Sequence, residues 1–419
     1  MKVLWTSNII FPEAAAAIGQ PVSVFGGWLT SMADDITGAG IKLAIASLYT
    51  GRAIKKIETA KAVYYLLPGL VASRYGYDSR LKKHFRHVLE DFKPDCIHIH
   101  GTEYTYPQPL LDVAGNIPAV VSIQGMIGVY ERFYLAGMRV ADIIRSGTPG
   151  DLLRRTGVLS GRSRFRRRAK FERKLLSSTR HVIGRTEWDY SNVWAINPRA
   201  TYHLCNESLR SPFYAGGWDL HKCERHTLFT SQASYPIKGL HILLEAIRLL
   251  KPDYPDIRLS VGGPKITNTA SLKEKLLITG YGNYIRNLIR DYGIESNVEF
   301  TGALNADAMA GELAATHVYV LASSIENSPN SLGEAQLVGT PCVASYVGGV
   351  PDMVTDGEDG LLYNYLEPAI LANKIRKLFE DDELAQKLSI KGRERALVRH
   401  DRQKNLERML EIYSTITGK

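Results

Sequence analysis

The chain has 419 residues, 45% of them hydrophobic and 23% charged, with a formal net charge of +9. That length accommodates two domains, each with its own core, and the composition is that of an ordinary globular protein without repeats or low-complexity tracts. Four widely separated cysteines (Cys96, Cys205, Cys223, Cys342) lack metal-ligand spacing and read as reduced thiols, which argues against a zinc site.

Met1 to Trp5 enters a strand-like run that is a poor signal peptide. The most apolar stretch, Ala62 to Ala72, is broken by Pro68 and Gly69 and falls short of the roughly 20 residues a spanning helix needs. The expected location is therefore cytoplasmic, at most peripheral on the inner face of a membrane. In chain order, strands are expected at Val3 to Ile9, Leu43 to Leu48, Val63 to Leu66, Cys96 to His100, Ala119 to Ile123 and His181 to Gly184. Helical periodicity covers Ser79 to Phe92, Arg164 to Leu176 and Glu187 to Trp194.

Residues 206–225 contain Pro212, Gly216 and Gly217, show no periodicity and read as a linker. Beyond them the rhythm restarts, with strands at Thr227 to Thr230, Arg258 to Val261, Val298 to Thr301, Val318 to Leu321 and Pro341 to Ala344. Helices at Gly239 to Leu250, up to about Tyr292, at Ala306 to Ala314 and at Ser331 to Val338 alternate with them, and three more follow Glu367. Alternation of this kind predicts parallel sheets flanked by helices. The predicted organisation is an α/β protein of two doubly wound, Rossmann-like domains facing across a cleft. Residues 1–205 form the first and 226–395 the second, while 396–419 make a terminal helix that could pack back on the first.

The charge is concentrated. Between Arg154 and Lys174 there are ten Lys/Arg and one acid, Glu172, so this stretch carries the whole net charge. Arg164, Arg166, Arg167, Arg168 and Lys170 are interleaved with Phe165 and Phe171, a pattern suited to an anionic bilayer surface. No nucleic-acid module accompanies it, and nucleic acid is not an expected partner.

The densest motif runs from Glu326 to Glu334, two carboxylates separated by seven residues, and continues to Pro341. The second Glu falls in the first turn of a helix, where unpaired backbone N–H groups suit an anion. Ser331-x-x-Glu334 also fits a capping box. Lys238-Gly239 at a helix start is electrostatically unfavourable unless an anion sits there. Gly262-Gly263 and Gly348-Gly349 follow strands, and Gly26-Gly27 follows a strand and loop. In the first half, His98 and His100 share one sheet face by period-two alternation, with His100 at the strand's carboxyl end. Gln124-Gly125 follows the next strand, Thr186 is a plausible N-cap, and Arg185 could face a phosphate.

From Lys238 to Gly360 these motifs resemble retaining, family 4-type glycosyltransferases (glycosyl transferases group 1) with the GT-B fold. The resemblance implies transfer of a sugar from a nucleotide diphosphate sugar, with UDP favoured, to a hydroxyl of a glycan or lipid-linked, surface-polysaccharide precursor. It places Glu326 near the anomeric carbon and Glu334 on the ribose hydroxyls. The Ser331 and Leu332 amides would face the diphosphate, with Asn330 in the same turn. Lys238, Gln232, Gly262, Gly263, Gly348 and Gly349 would complete the donor site, and Gly26 and Gly27 would lie near diphosphate and acceptor. His100 and Gln124 are the candidates opposite. The chain departs from the pattern twice, with Gln232 where an Arg is usual and Gln124 where a His is usual. No cofactor and no essential metal are expected, since no Asp-x-Asp motif is evident. The competing reading is a non-catalytic nucleotide-sugar or membrane-surface binding protein on the same scaffold.

Overall fold

The computed structural model describes residues 1–21, 26–69, 75–269 and 271–419, so residues 70–72 of the apolar stretch lie outside the described residues. The described residues form two compact units. The first comprises Met1–Val129, Phe165–Leu209 and His400–Lys419; the second comprises Tyr130–Arg164 and Arg210–Arg399.

The first unit holds an eight-stranded sheet: β1 (Lys2–Ser7), β2 (Lys42–Tyr49), β3 (Lys55–Glu58), β4 (Ala62–Pro68), β5 (Cys96–His100), β6 (Ala119–Ser122), β7 (His181–Gly184) and β8 (Thr201–Leu204). Its order is β3-β4-β2-β1-β5-β6-β7-β8. Every pairing is parallel except β3 with β4. Edge strands β3 and β8 escaped the sequence reading because Lys55–Glu58 and Thr201–Leu204 are short and largely polar. Central β1 is buried on both faces, as parallel strands under helices must be. One face packs Val3, Trp5, Ile45 and Ile36 with Met409, Ile412 and Tyr413 of the terminal helix Arg402–Thr417. Tyr413 anchors that helix: its hydroxyl accepts from Trp5 Nε1 at 2.9 Å and lies 2.6 Å from His98 Nδ1.

The second unit holds a six-stranded parallel sheet, β9 (Glu224–Thr230), β10 (Arg258–Gly262), β11 (Val298–Gly302), β12 (Thr316–Leu321), β13 (Cys342–Ser345) and β14 (Leu361–Tyr363). The order is β11-β10-β9-β12-β13-β14, with β9 and β12 central. Residues 130–164, which interrupt the first half in sequence, fold onto this unit. His241 Nε2 lies 2.7 Å from the Ala136 carbonyl, and Tyr365 donates to the same oxygen at 2.8 Å. Further along, Asn283 donates to Ser146 O at 3.0 Å. Periodicity could not reveal this excursion, because its partners lie more than a hundred residues downstream.

Candidate functional site

The helix Asn330–Val338 is set by its ends. Pro329 is its N-cap, and Gly339 stops it at φ 95°, a left-handed conformation suited to glycine. Pro329 makes no side-chain cap, and Ser331 lies inside the helix, so the capping box does not form. Glu334 is instead held by a residue the sequence reading passed over. Arg210 donates to Glu334 Oε1 from Nε at 3.0 Å and from Nη2 at 2.8 Å. Burial pushes the Glu334 carboxyl up, and Arg210 pulls it partly back. The Leu332 amide donates to Pro329 O at 3.0 Å within the first turn. This corrects the expectation that both the Ser331 and Leu332 amides face a diphosphate. Asn330 and Ser331 are half-buried at the helix start, and Ser331 Oγ accepts from Tyr319 at 2.9 Å.

Glu326 sits beyond β12 and is also held by one oxygen. Its Oε1 accepts from Lys238 Nζ at 2.7 Å and from Ser323 Oγ at 2.6 Å. Among the described residues, Oε2 of neither Glu326 nor Glu334 has a hydrogen-bond partner. Lys238 ends the short 3-10 helix Pro236–Lys238 and so precedes the helix Leu240–Leu250 rather than opening it. Burial lowers the Lys238 ammonium, but Glu326 and Tyr235 outweigh it and keep it protonated. Thus the two groups expected to bind sugar and phosphate begin as an ion pair.

The glycines are explained mostly by backbone. A Cβ on Gly348 would lie 1.8 Å from Glu326 O, and one on Gly239 would lie 1.7 Å from Ala322 O. The Gly349 amide donates to Glu326 O at 3.1 Å, so this pair shapes the Glu326 loop itself. Gly262 passes against Ser231 O, and Gly263 donates to Gly302 O at 2.8 Å. Gln232 lies half-buried just past β9, without a side-chain hydrogen bond among the described residues.

In the first unit, Gly26 caps the helix Gly27–Gly38 at φ 80°, against the Ile9 side chain. His98 and His100 do share a face, with ring centroids 3.8 Å apart. His98 is a core residue, held between Tyr413 and Ser122 Oγ, the latter at 2.6 Å. His100 is buried and neither ring nitrogen has a partner among the described residues; burial and the neighbouring His98 hold its pKa well below the usual range, so the ring is neutral. It lines a recess with Trp28, Gln124, Cys205 and Glu207. Gln124 Nε2 donates to Glu207 Oε1 at 2.7 Å. Arg185 does not reach for a phosphate: its Nη1 lies 2.7 Å from Glu207 Oε2, with both side chains almost fully buried. Thr186 caps the next helix, accepting from the Asp189 amide at 3.1 Å.

The basic helix runs Val158–Ser178. Arg166, Arg167 and Lys170 are exposed. Arg168 is not a free surface cation: its guanidinium stacks on Tyr75, Tyr104 and Phe165 and donates to Glu103 O. Arg164 donates to Arg155 O. Glu172, on the opposite side, is buried and accepts from Thr102 Oγ1 at 2.6 Å, Ile127 N at 3.0 Å and Gly128 N at 2.7 Å. Burial raises its pKa to about 7 against those donors.

The two Rossmann-like units define a GT-B fold. Residues 220–395 match the family model described as glycosyl transferases group 1. A D-inositol 3-phosphate glycosyltransferase of Corynebacterium kroppenstedtii is 31% identical over 150 residues, covering 35% of this chain and 31% of the relative. The enzyme of the same name from Corynebacterium diphtheriae is 32% identical over 162 residues, 38% of this chain and 35% of the relative. The match thus spans about a third of these relatives' length. Sucrose-phosphate synthase from Thermosynechococcus elongatus superposes with a TM-score of 0.74 at 15% identity, over 100% of this chain and 99% of the other. Anabaena HepE, solved in complex with UDP-glucose, gives 0.67 at 16% identity, over 99% and 100% of the respective chains. These structural likenesses define the fold.

Proposed function

We propose that the protein is a retaining glycosyltransferase that moves a sugar from a UDP-sugar to a hydroxyl of a glycan or lipid-linked precursor. One observation carries the reading. Two buried glutamates on one loop and helix start are each fixed through Oε1 by a cation, and Oε2 of each has no hydrogen-bond partner among the described residues. Glu334 Oε2 accepts from ribose hydroxyls, a task suited to an ionised carboxylate. Glu326 lies where positive charge develops at the anomeric carbon and stabilises an oxocarbenium-like transition state. Lys238 turns from Glu326 toward the diphosphate when the donor enters. With the Ser331 amide and the helix N-terminus it supplies the charge stabilisation, so no essential metal is required. His100 and Gln124 act on the acceptor side as a neutral ring and a hydrogen-bonding amide.

The test is thermal stabilisation across a panel of nucleotides and nucleotide sugars, with and without magnesium, followed by turnover of the stabilising sugar. A selective upward shift with uridine diphosphate species supports the donor site. Retention of the sugar without its consumption, in the presence of a panel of glycan and lipid-linked acceptors, would favour the binding-protein alternative.

A cytoplasmic protein peripheral to an anionic membrane belongs to the same reading. No helix among the described residues is long and apolar enough to cross a membrane. Arg166, Arg167 and Lys170 offer exposed charge, and Leu152 and Leu153, earlier in sequence, are 84% and 88% exposed. Replacing the three cations by Gln should weaken binding to anionic vesicles by at least tenfold, at about 1 kcal/mol per cation. Unchanged binding removes the membrane part of the proposal.

A further inference from the structure

The longer of the second unit's two chain segments begins at Arg210 and ends at Arg399. Both residues plant a guanidinium on the Glu326–Glu334 segment: Arg210 on Glu334, and Arg399 on Ser328 Oγ at 3.2 Å. The Arg210 contact has an unusual shape. A side-on guanidinium ordinarily spreads two parallel N–H bonds over both carboxylate oxygens. Here Nε and Nη2 converge on Oε1 alone, at 3.0 and 2.8 Å, which fills that oxygen and leaves Oε2.

Arg210 is itself braced. Its guanidinium lies 4.8 Å from the Phe213 ring centroid, and Nη2 contacts Met309 Sδ at 3.6 Å. The short helix Ser211–Tyr214 starts directly after it, with Pro212 fixing the first turn. Arg210 and Glu334 side chains are 18% and 8% exposed, so water competes little for the pair. A bare interior carboxylate could turn about its last torsion and pick up a proton. Held on one oxygen by a cation, it presents a single oriented acceptor.

We propose that Arg210 is a positioning residue for nucleotide recognition: it locks the Glu334 carboxylate so that Oε2 points at the ribose hydroxyls of the donor. The inference rests on the donor reading given above for Glu334. It predicts that Arg210 matters only when both the carboxylate and the ribose hydroxyls are present.

Five proteins test it by calorimetry: wild type, Arg210→Met, Arg210→Lys, Glu334→Gln and Arg210→Met/Glu334→Gln, each with UDP and with 2′,3′-dideoxy-UDP. For UDP, Arg210→Met should raise Kd about tenfold to a hundredfold, the range of a lost charge-assisted hydrogen bond. Arg210→Lys, which keeps the charge without the fork, should recover part of that loss. For dideoxy-UDP the Arg210→Met and wild-type values should agree within about twofold. The double variant should bind UDP no more weakly than Glu334→Gln alone. Equal weakening of both nucleotides by Arg210→Met, or a further loss in the double variant, overturns the inference, because Arg210 would then act on the phosphates or on folding. Wild type that binds UDP and dideoxy-UDP equally overturns the ribose role of Glu334, and wild type that binds neither overturns the donor reading. Both of those results are seen before any variant is made.

Discussion

Two pairs of buried glutamates, one pair in each unit, are satisfied differently. In the first unit, Glu207 engages Gln124 through Oε1 and Arg185 through Oε2. Glu172 likewise accepts on both oxygens, from Thr102 and Ile127 on one and from Gly128 on the other. In the second unit, Glu326 and Glu334 receive all their donors on Oε1. All four are buried. A buried carboxylate that holds the fold together is expected to use every acceptor site, since each unmet one costs free energy. One kept half-met is, on the proposed donor reading, held ready for a ligand. Burial and residue type alone therefore do not distinguish these two pairs, whereas the distribution of donors over the two oxygens does.

The strongest way to break that distinction is to remove a fully engaged acid. Glu207→Ala leaves the Arg185 guanidinium buried without its carboxylate and should destabilise the protein by about 3–5 kcal/mol. Chemical denaturation measures it. A cost under about 1 kcal/mol would mean that Glu207 is not structural, and would move it into the functional class with its recess neighbours His100 and Gln124.

Glu326→Gln probes the other class. The amide oxygen can still accept from Ser323 and Lys238, so the fold should tolerate it, while the anion that the proposed reading puts near the anomeric carbon is gone. Turnover should fall by about 10²- to 10³-fold, the scale of one lost electrostatic stabiliser, with nucleotide affinity changed only slightly. Comparing initial rates with nucleotide Kd separates the two. Unaltered turnover would place Glu326 among the structural acids.

How much of this was legible depended on range along the chain. Glu326, Glu334 and the glycines around them were readable because one loop, one helix turn and one strand end bring them together. The partner of Glu334 was not, because Arg210 lies 124 residues away in a stretch without periodicity. Both sheets were readable from their central strands, but edge strands β3 and β8 carry too few apolar residues to register, and edge strand β14, only three residues long, is too short for a pattern. The run of arginines was obvious, yet residue type did not show that Arg168 is stacked among aromatic rings while Arg166 and Arg167 point to solvent. The same limit applied to His98 and His100. Alternation put both on one face, and only the terminal helix, more than three hundred residues away, showed that His98 is claimed by Tyr413.

Glu172 gives a pH signature of full engagement. Its pKa in the folded protein is about 7 against an ordinary 4.5, chiefly through burial. Between those values the folded carboxyl retains a proton that the unfolded chain has released. This group's contribution to stability is therefore fully present below about pH 4.5 and is lost as pH rises through about 7, by roughly 3 kcal/mol in all. A proton on Glu172 has a place to go, since Thr102 can accept from it while donating to Gly125 O at 2.9 Å. Glu172→Gln should flatten stability across that interval. A variant that keeps the wild-type slope assigns the titration to another group.

The smallest effect concerns the terminal helix, which has no charged anchor at its core contact. Tyr413→Phe removes only a hydroxyl, but that oxygen serves both Trp5 Nε1 and His98 Nδ1. Burial holds the His98 pKa down at about 3, so the ring cannot compensate by taking a charge. Two interior nitrogens lose their partner at once, at a cost of about 1–3 kcal/mol for the unmet groups. Amide exchange should then show the helix Arg402–Thr417 opening more readily, while nucleotide affinity at Glu334 is unchanged. Loss of nucleotide affinity in this variant would contradict the division into a structural acid network in one unit and a half-met, ligand-ready pair in the other.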